Sequence, residues 1–126
     1  MLVRRSRFVC AVIMIISFIV TASSQTSEFK KGTYTATAYG ATWAIKYDDN
    51  KVSLARNGEI FIEGVYKVTG NEIEVTDERG PMACRDDQKT GKYTWKLEGK
   101  SLTFQKVKDE CAGRANALTS IPWIRE

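Results

Sequence analysis

The chain has no histidine in its 126 residues. That absence excludes Ser-His-Asp and Cys-His catalysis, His-ligated zinc and any pH switch built on imidazole. No Gly-x-Ser-x-Gly elbow and no phosphate-binding glycine loop occurs, so serine and threonine, though plentiful, have neither a base nor a nucleophile turn. The three cysteines lack the C-x-x-C spacing of a zinc or redox site. These gaps predict a chain that is not an enzyme and carries no metal or cofactor. Only two prolines are present, with 43% hydrophobic and 27% charged residues, which excludes a disordered or fibrous chain. An apolar run of membrane-spanning length is missing as well. The run Phe8–Val20 is 13 residues, whereas a bilayer helix needs about 20.

What stands at the N-terminus is signal-peptide anatomy: a basic stretch Arg4-Arg5-Ser6-Arg7, the apolar run, then Thr21-Ala22-Ser23-Ser24. Residues 1–24 are expected to direct Sec export and to be removed after Ser24, leaving 25–126 as a single domain, secreted or periplasmic, with no stable membrane span. Three of the 19 basic residues leave with the signal, so the formal charge of +4 falls to about +1. The remaining charges are interspersed, and nucleic acid is not an expected partner.

Cys10 falls in the apolar run and is expected to be discarded with it. Cys84 and Cys111 remain, 27 positions apart, in a chain sent to an oxidising compartment, where a disulfide is the default. Closing a loop of that length stabilises the fold by about 3–4 kcal/mol in the chain-entropy picture.

From Gly32 onward apolar and polar residues alternate with period two, and β-branched and aromatic residues gather in short runs. The pattern predicts strands over Gly32–Tyr39, Thr42–Tyr47, Lys51–Ala55, Glu59–Ile62, Val65–Val68, Glu72–Thr76, Lys92–Leu97 and Ser101–Val107. Short turn sequences such as Arg56-Asn57-Gly58, Gly70-Asn71 and Glu98-Gly99-Lys100 connect them as hairpins, and Asp109–Leu118 can hold a short helix. Gly-x-Tyr recurs at Gly32-Thr33-Tyr34, Gly64-Val65-Tyr66 and Gly91-Lys92-Tyr93, each opening a strand. A meander of eight such strands removes its exposed edges by closing into an antiparallel up-and-down barrel, with Gly32–Tyr39 meeting the last strand. An open or two-layer sheet satisfies the same pattern.

The stretch Gly91-x-Tyr93-x-Trp95-x-Leu97-x-Gly99-x-x-Leu102-x-Phe104 is followed by Val107-x-Asp109-x-Cys111-x-Gly113-Arg114 and by Pro122-Trp123-x-Arg125. With Thr76-Asp77-Glu78-x-Gly80-Pro81-x-Ala83-Cys84, these residues resemble the small lipocalin-like (calycin-type) β-barrel domains of exported bacterial proteins. The resemblance covers residues 58 to 126. It implies an eight-stranded barrel and, with Gly32-x-Tyr34 in place of the Gly-x-Trp of lipocalins and a shorter chain, a small cup. It further implies that an arginine near the end, Arg114 or Arg125, packs across an aromatic to close the base. The alternative is that Trp123 covers the barrel end and both arginines solvate the surface.

Tyr34, Trp43, Ile45, Tyr47, Phe61, Tyr66, Val68, Tyr93, Trp95, Leu97, Leu102 and Phe104 are expected on the inner face, with Ala36, Ala38, Ala44 and Ala55 leaving room there. Tyr39, Trp43 and Trp95 are the candidate ligand contacts, because an amphipathic ring at a barrel mouth touches a ligand while its polar atom stays wet. The acidic pairs Asp48-Asp49, Asp77-Glu78, Asp86-Asp87 and Asp109-Glu110 read as solvated turns. Two functions fit a monomer of this kind. One is a module for a small apolar or amphipathic molecule; the other is a filled, structural or inhibitory module that contacts a protein or the envelope through the loop Glu78–Thr90. N-terminal sequencing of the exported protein is expected to begin at Gln25, and retention of Met1 would refute the signal assignment.

Overall fold

The computed structural model describes residues 28–126; the expected signal, with Cys10, lies outside the described residues. Eight strands and one helix follow in chain order: β1 Gly32–Ala38, β2 Ala41–Asp48, β3 Lys51–Arg56, β4 Glu59–Thr69, β5 Glu72–Arg79, β6 Thr90–Glu98, β7 Ser101–Lys108, α1 Ala112–Thr119 and β8 Trp123–Arg125. Each strand pairs antiparallel with the next, and β8 pairs with both β7 and β1, so the sheet closes into a barrel with no free edge. Tyr39-Gly40 and Asn57-Gly58 both adopt positive φ, as the tightest right-twisting hairpins require.

Alternation puts one face of every strand inside. Tyr34 and Ala36, Ile45 and Tyr47, Ile73 and Val75, and Leu102 and Phe104 form a continuous core with Tyr66, Tyr93 and Leu97. Eleven of the twelve expected inner residues join this core or pack against it. Phe61 does not. Leu54 pairs with Ile62 and Ala55 with Ile60, which leaves Phe61 as the extra residue of a β-bulge. Its ring lies under the Arg56 guanidinium, 5.0 Å away. Ala44 and Ala55, also expected inside, are cross-strand partners and alternate outward between the inward residues Trp43 and Ile45.

The expected count of eight strands is met by a different set. Glu59–Ile62 and Val65–Val68 are one strand, β4, because Glu63-Gly64 is a close crossing and not a turn. A β-carbon on Gly64 would lie 2.0 Å from the Thr76 carbonyl oxygen of β5, and the register shifts there between Glu63 and Gly64. The eighth strand comes instead from the tail. Trp123 pairs with Leu102 and Ile124 with Thr35, so Ser101–Val107 is not the strand that meets β1. The helix predicted over Asp109–Leu118 forms as α1, starting three residues later.

Strand direction assigns two ends to the barrel. The helix end carries α1, the β1–β2 and β3–β4 hairpins and the β5–β6 loop. The entry end carries residues 28–31 and the other three turns. Among the described residues no helix is long and apolar enough to cross a membrane. Gly64→Ala is expected to destabilise the barrel by about 1–3 kcal/mol, since backbone must move. Gly113→Ala, whose β-carbon meets nothing within 4 Å, is expected to stabilise it by up to about 1 kcal/mol through helix propensity. Denaturant midpoints of the two variants check both signs.

Candidate functional site

Arg114 projects from the first turn of α1 into the helix end and is buried there. Its guanidinium is bidentate to Asp109: Nε donates to Oδ2 at 2.7 Å and Nη2 to Oδ1 at 2.7 Å. Nη1 donates to the Lys89 carbonyl at 2.8 Å and Nη2 to the Gln88 carbonyl at 2.9 Å. Nη1 also makes an ion pair with Asp77 Oδ1 at 3.3 Å. Both carboxylates also hold a cysteine backbone. Asp77 Oδ2 accepts from the Cys84 amide at 2.8 Å, and Asp109 Oδ1 from the Cys111 amide at 2.9 Å. Tyr93 donates its hydroxyl to Asp109 Oδ2. Cys84 and Cys111 stand at disulfide distance, with Cα atoms 6.2 Å apart.

The Gly-x-Tyr spacing has its reason at this cluster. Gly91 and Tyr93 share the inner face of β6, and a β-carbon on Gly91 would come within 2.4 Å of Asp109 Oδ2. Only glycine admits the carboxylate that the tyrosine two residues later grips.

Above the cluster lies a cavity of about 370 Å³. Its walls are apolar, from Ile45, Val52, Leu54, Val75, Leu118 and Trp123, and it reaches solvent beside Tyr39, which is 90% exposed. Trp43 stands at this mouth. Its ring N–H donates to the Ala38 carbonyl at 3.2 Å, and the Arg56 guanidinium lies 5.8 Å from the ring centre. The charged residues on the walls are Asp77 and Arg114, already paired with each other. Cys84 and Cys111 line the same mouth.

The entry end is built differently. Phe29, from the segment before β1, inserts among Tyr47, Tyr66 and Trp95 with ring centres 5.1, 5.9 and 5.2 Å away, and Tyr47 packs edge-on against Tyr34 and Tyr66. Trp95 donates to the Gly70 carbonyl at 3.1 Å. The three candidate ligand aromatics are therefore not brought together: Tyr39 and Trp43 flank the cavity mouth, and Trp95 belongs to the aromatic plug at the other end. Of the three residues considered for closing the barrel, Trp123 is 2% exposed in the core and Arg125 lies in the same closing strand, donating to the Lys31 carbonyl at 3.2 Å. Arg114 is in the ion cluster. The cation–π contacts found among the described residues come from Arg56.

Sequence reasoning placed Asp77 and Asp109 on solvated turns, and the structure buries both, 7% and 8% exposed. A usable signal was present: each stands shortly before a cysteine, and Arg114 follows the second. Among the described residues no group of three or more His, Cys, Asp or Glu side chains is arranged to hold a metal ion.

Burial acts to raise the Asp109 carboxyl, but Arg114, the Tyr93 hydroxyl and the Cys111 amide overcome it and hold the group below the ordinary carboxylate range. Burial, reinforced by Asp109, pushes the Tyr93 phenol up. Because the native carboxyl protonates at lower pH than the unfolded one, its contribution to stability is complete above the unfolded value of about 3.9. It is lost as pH falls through the lower native value. Asp109→Asn is expected to destabilise the protein by about 3–5 kcal/mol at neutral pH, by stranding Arg114, and to make unfolding less sensitive to acid below about pH 4; denaturant melts across pH read both effects. Comparison with protein-family models, with curated proteins and with solved structures finds no match.

Proposed function

We propose that the protein is an exported, lipocalin-like binding module that holds a small apolar molecule in the cavity at the helix end of its barrel. The observation that carries this reading is the apolar cavity of about 370 Å³, within the range of small-molecule pockets and lined in the same manner, with few polar groups. A cysteine pair at disulfide distance supports an oxidising, secreted or periplasmic setting. Lipocalin-like barrels are the expected relatives by sequence resemblance, and a closed eight-stranded antiparallel barrel is compatible with that kinship. The filled, structural reading has its counterpart in the entry end, where Phe29 packs into the barrel interior among Tyr47 and Trp95. A wider, open hollow of about 1200 Å³ lies beside it, rimmed by charged residues such as Lys31, Asp49, Glu98 and Arg125, whereas the helix-end cavity is walled mainly by apolar side chains.

Bromobenzene, which is apolar and quenches indole emission on contact, tests the assignment. Quenching is expected to saturate. Trp43→Phe is expected to weaken binding by roughly two- to tenfold, the worth of one aromatic contact, whereas Trp95→Phe, at the plugged end, leaves the affinity unchanged. Linear, non-saturating quenching would favour the filled module.

A further inference from the structure

Strand alternation places a cation where the barrel interior meets solvent. Along β3, Leu54 packs against the core and Ala55 alternates outward, so Arg56 returns to the inner side at the last position of the strand. The pairing register agrees. Arg56 is the cross-strand partner of Trp43, and Trp43 lines the cavity at its mouth. The Arg56 guanidinium carbon lies 5.8 Å from the Trp43 ring centre and 5.0 Å from that of Phe61. The turn that follows is tied back to β2: Asn57 donates its backbone N–H to the Thr42 carbonyl at 2.9 Å, and its side-chain oxygen accepts from the Thr42 N–H at 3.1 Å. Two rings and an anchored hairpin hold the guanidinium at the rim.

The charge of Arg56 is not spent within the fold. Arg114 is paired with Asp77 and Asp109, and Arg79 with Glu63. Arg56 is exposed and forms no ion pair among the described residues, its cross-strand partner Glu59 included. A guanidinium laid against aromatic rings keeps its N–H edge for a planar anion, which it grips in bidentate fashion. Inside the cavity the charged wall residues Asp77 and Arg114 answer each other at 3.3 Å, and the other walls are mainly apolar. The site therefore combines an apolar interior with one unpaired cation at its opening.

We infer that the cavity takes a single-chain amphiphile whose apolar tail lies inside and whose carboxylate rests outside on the Arg56 guanidinium. This rests on the binding reading above and adds the ligand's class to it. The head stays at the solvent boundary, so no lone ionised group is buried. At about 30 Å³ per water-sized group, a space of about 370 Å³ suits a tail of about a dozen non-hydrogen atoms. That is room for one chain and not for two.

Three ten-carbon probes that differ only in the head group separate the possibilities: decanoate is anionic, decanol neutral and decylammonium cationic. Calorimetric titration of the mature, oxidised protein at neutral pH and low salt, below micelle-forming concentrations, is expected to give decanoate about tenfold tighter binding than decanol, the worth of one charge-assisted hydrogen bond. Decylammonium is expected to bind more weakly than decanol. Added salt is expected to narrow the gap, because a pair at an exposed rim is screened. Arg56→Gln is expected to bring the decanoate-to-decanol ratio to about one, and Arg56→Lys, which keeps the charge without the planar fork, to leave it at about threefold. In nitrogen-15 spectra of the unmodified protein the Arg56 Nε–H signal is expected to shift with decanoate and not with decanol. Decanoate binding no tighter than decanol, a preference that survives in Arg56→Gln, an unmoved Arg56 signal, or tightest binding of decylammonium would overturn the inference and leave an apolar binding module standing. Failure of all three probes to bind would overturn the binding reading and the inference together.

Discussion

A single buried guanidinium organises one end of this barrel. Removing Arg114 and its carboxylates from water is costly, and the cost is offset only when every N–H and every carboxylate oxygen has a partner at good geometry. The partners come from groups that are remote in the chain: Asp77 from β5, the carbonyls of 88 and 89 leading into β6, Tyr93 within β6, Asp109 after β7, and Arg114 itself on α1. The β5–β6 loop, which has no strand ladder of its own, is thereby tied to the helix. The cysteine pair follows from the same arrangement, because the two carboxylates fix the Cys84 and Cys111 amides and so bring the two segments side by side.

With α1 held in this way, Leu118 is laid over the barrel mouth and joins the core, and the chain leaving the helix is returned to the sheet at Trp123. A three-residue strand is a weak element by itself. Here it bridges β7 and β1 by pairing with Ser101 and Leu102 on one side and with Tyr34 and Thr35 on the other, and Trp123 fills the interior behind it. Closure of the sheet and satisfaction of the ion cluster are therefore coupled through one short helix: loosening the cluster frees α1, and freeing α1 removes the strand that seals the edge. The entry end is filled instead by Phe29 and the tyrosines of β1, β2 and β4, with Arg125 donating to the Lys31 carbonyl beside them.

The architecture was largely legible in the sequence because period-two alternation and turn residues report directly on strands. Tyr34, Ile45, Tyr66, Tyr93 and Phe104 could be placed inside for that reason alone. Gly64 misled because glycine marks both turns and close crossings, and only the position of the Thr76 carbonyl distinguishes them. Trp123–Arg125 is too short to show alternation, and Phe29 precedes the patterned region, so neither announced its role. The acidic residues at 77 and 109 look the same in sequence as those at 48 and 49, which are exposed; what separates them is a partner supplied by the fold. Trp43 and Trp95 alternate inward alike, yet one is near the start of β2 and the other near the end of β6. Since both strands run from the helix end, that difference puts them at opposite ends of the barrel.

The coexistence of a tight polar cluster and a roomy apolar space at the same end has a physical logic. Left dry, a cavity of 370 Å³ would cost about 9 kcal/mol at the roughly 24 cal/mol per Å³ measured for cavities in a packed core, comparable with the whole stability of a domain this size. Side chains would relax into such a space if they could. They are prevented on one side by the barrel wall and on the other by α1, whose height above the sheet is set by the reach of Arg114 to two carboxylates and two carbonyls. The helix cannot descend to fill the mouth without breaking bonds that a buried charge cannot forgo. The cluster thus acts as a spacer, and the space it maintains is open to solvent or solute beside Tyr39. An electrostatic requirement inside the wall is what keeps the apolar cavity from closing.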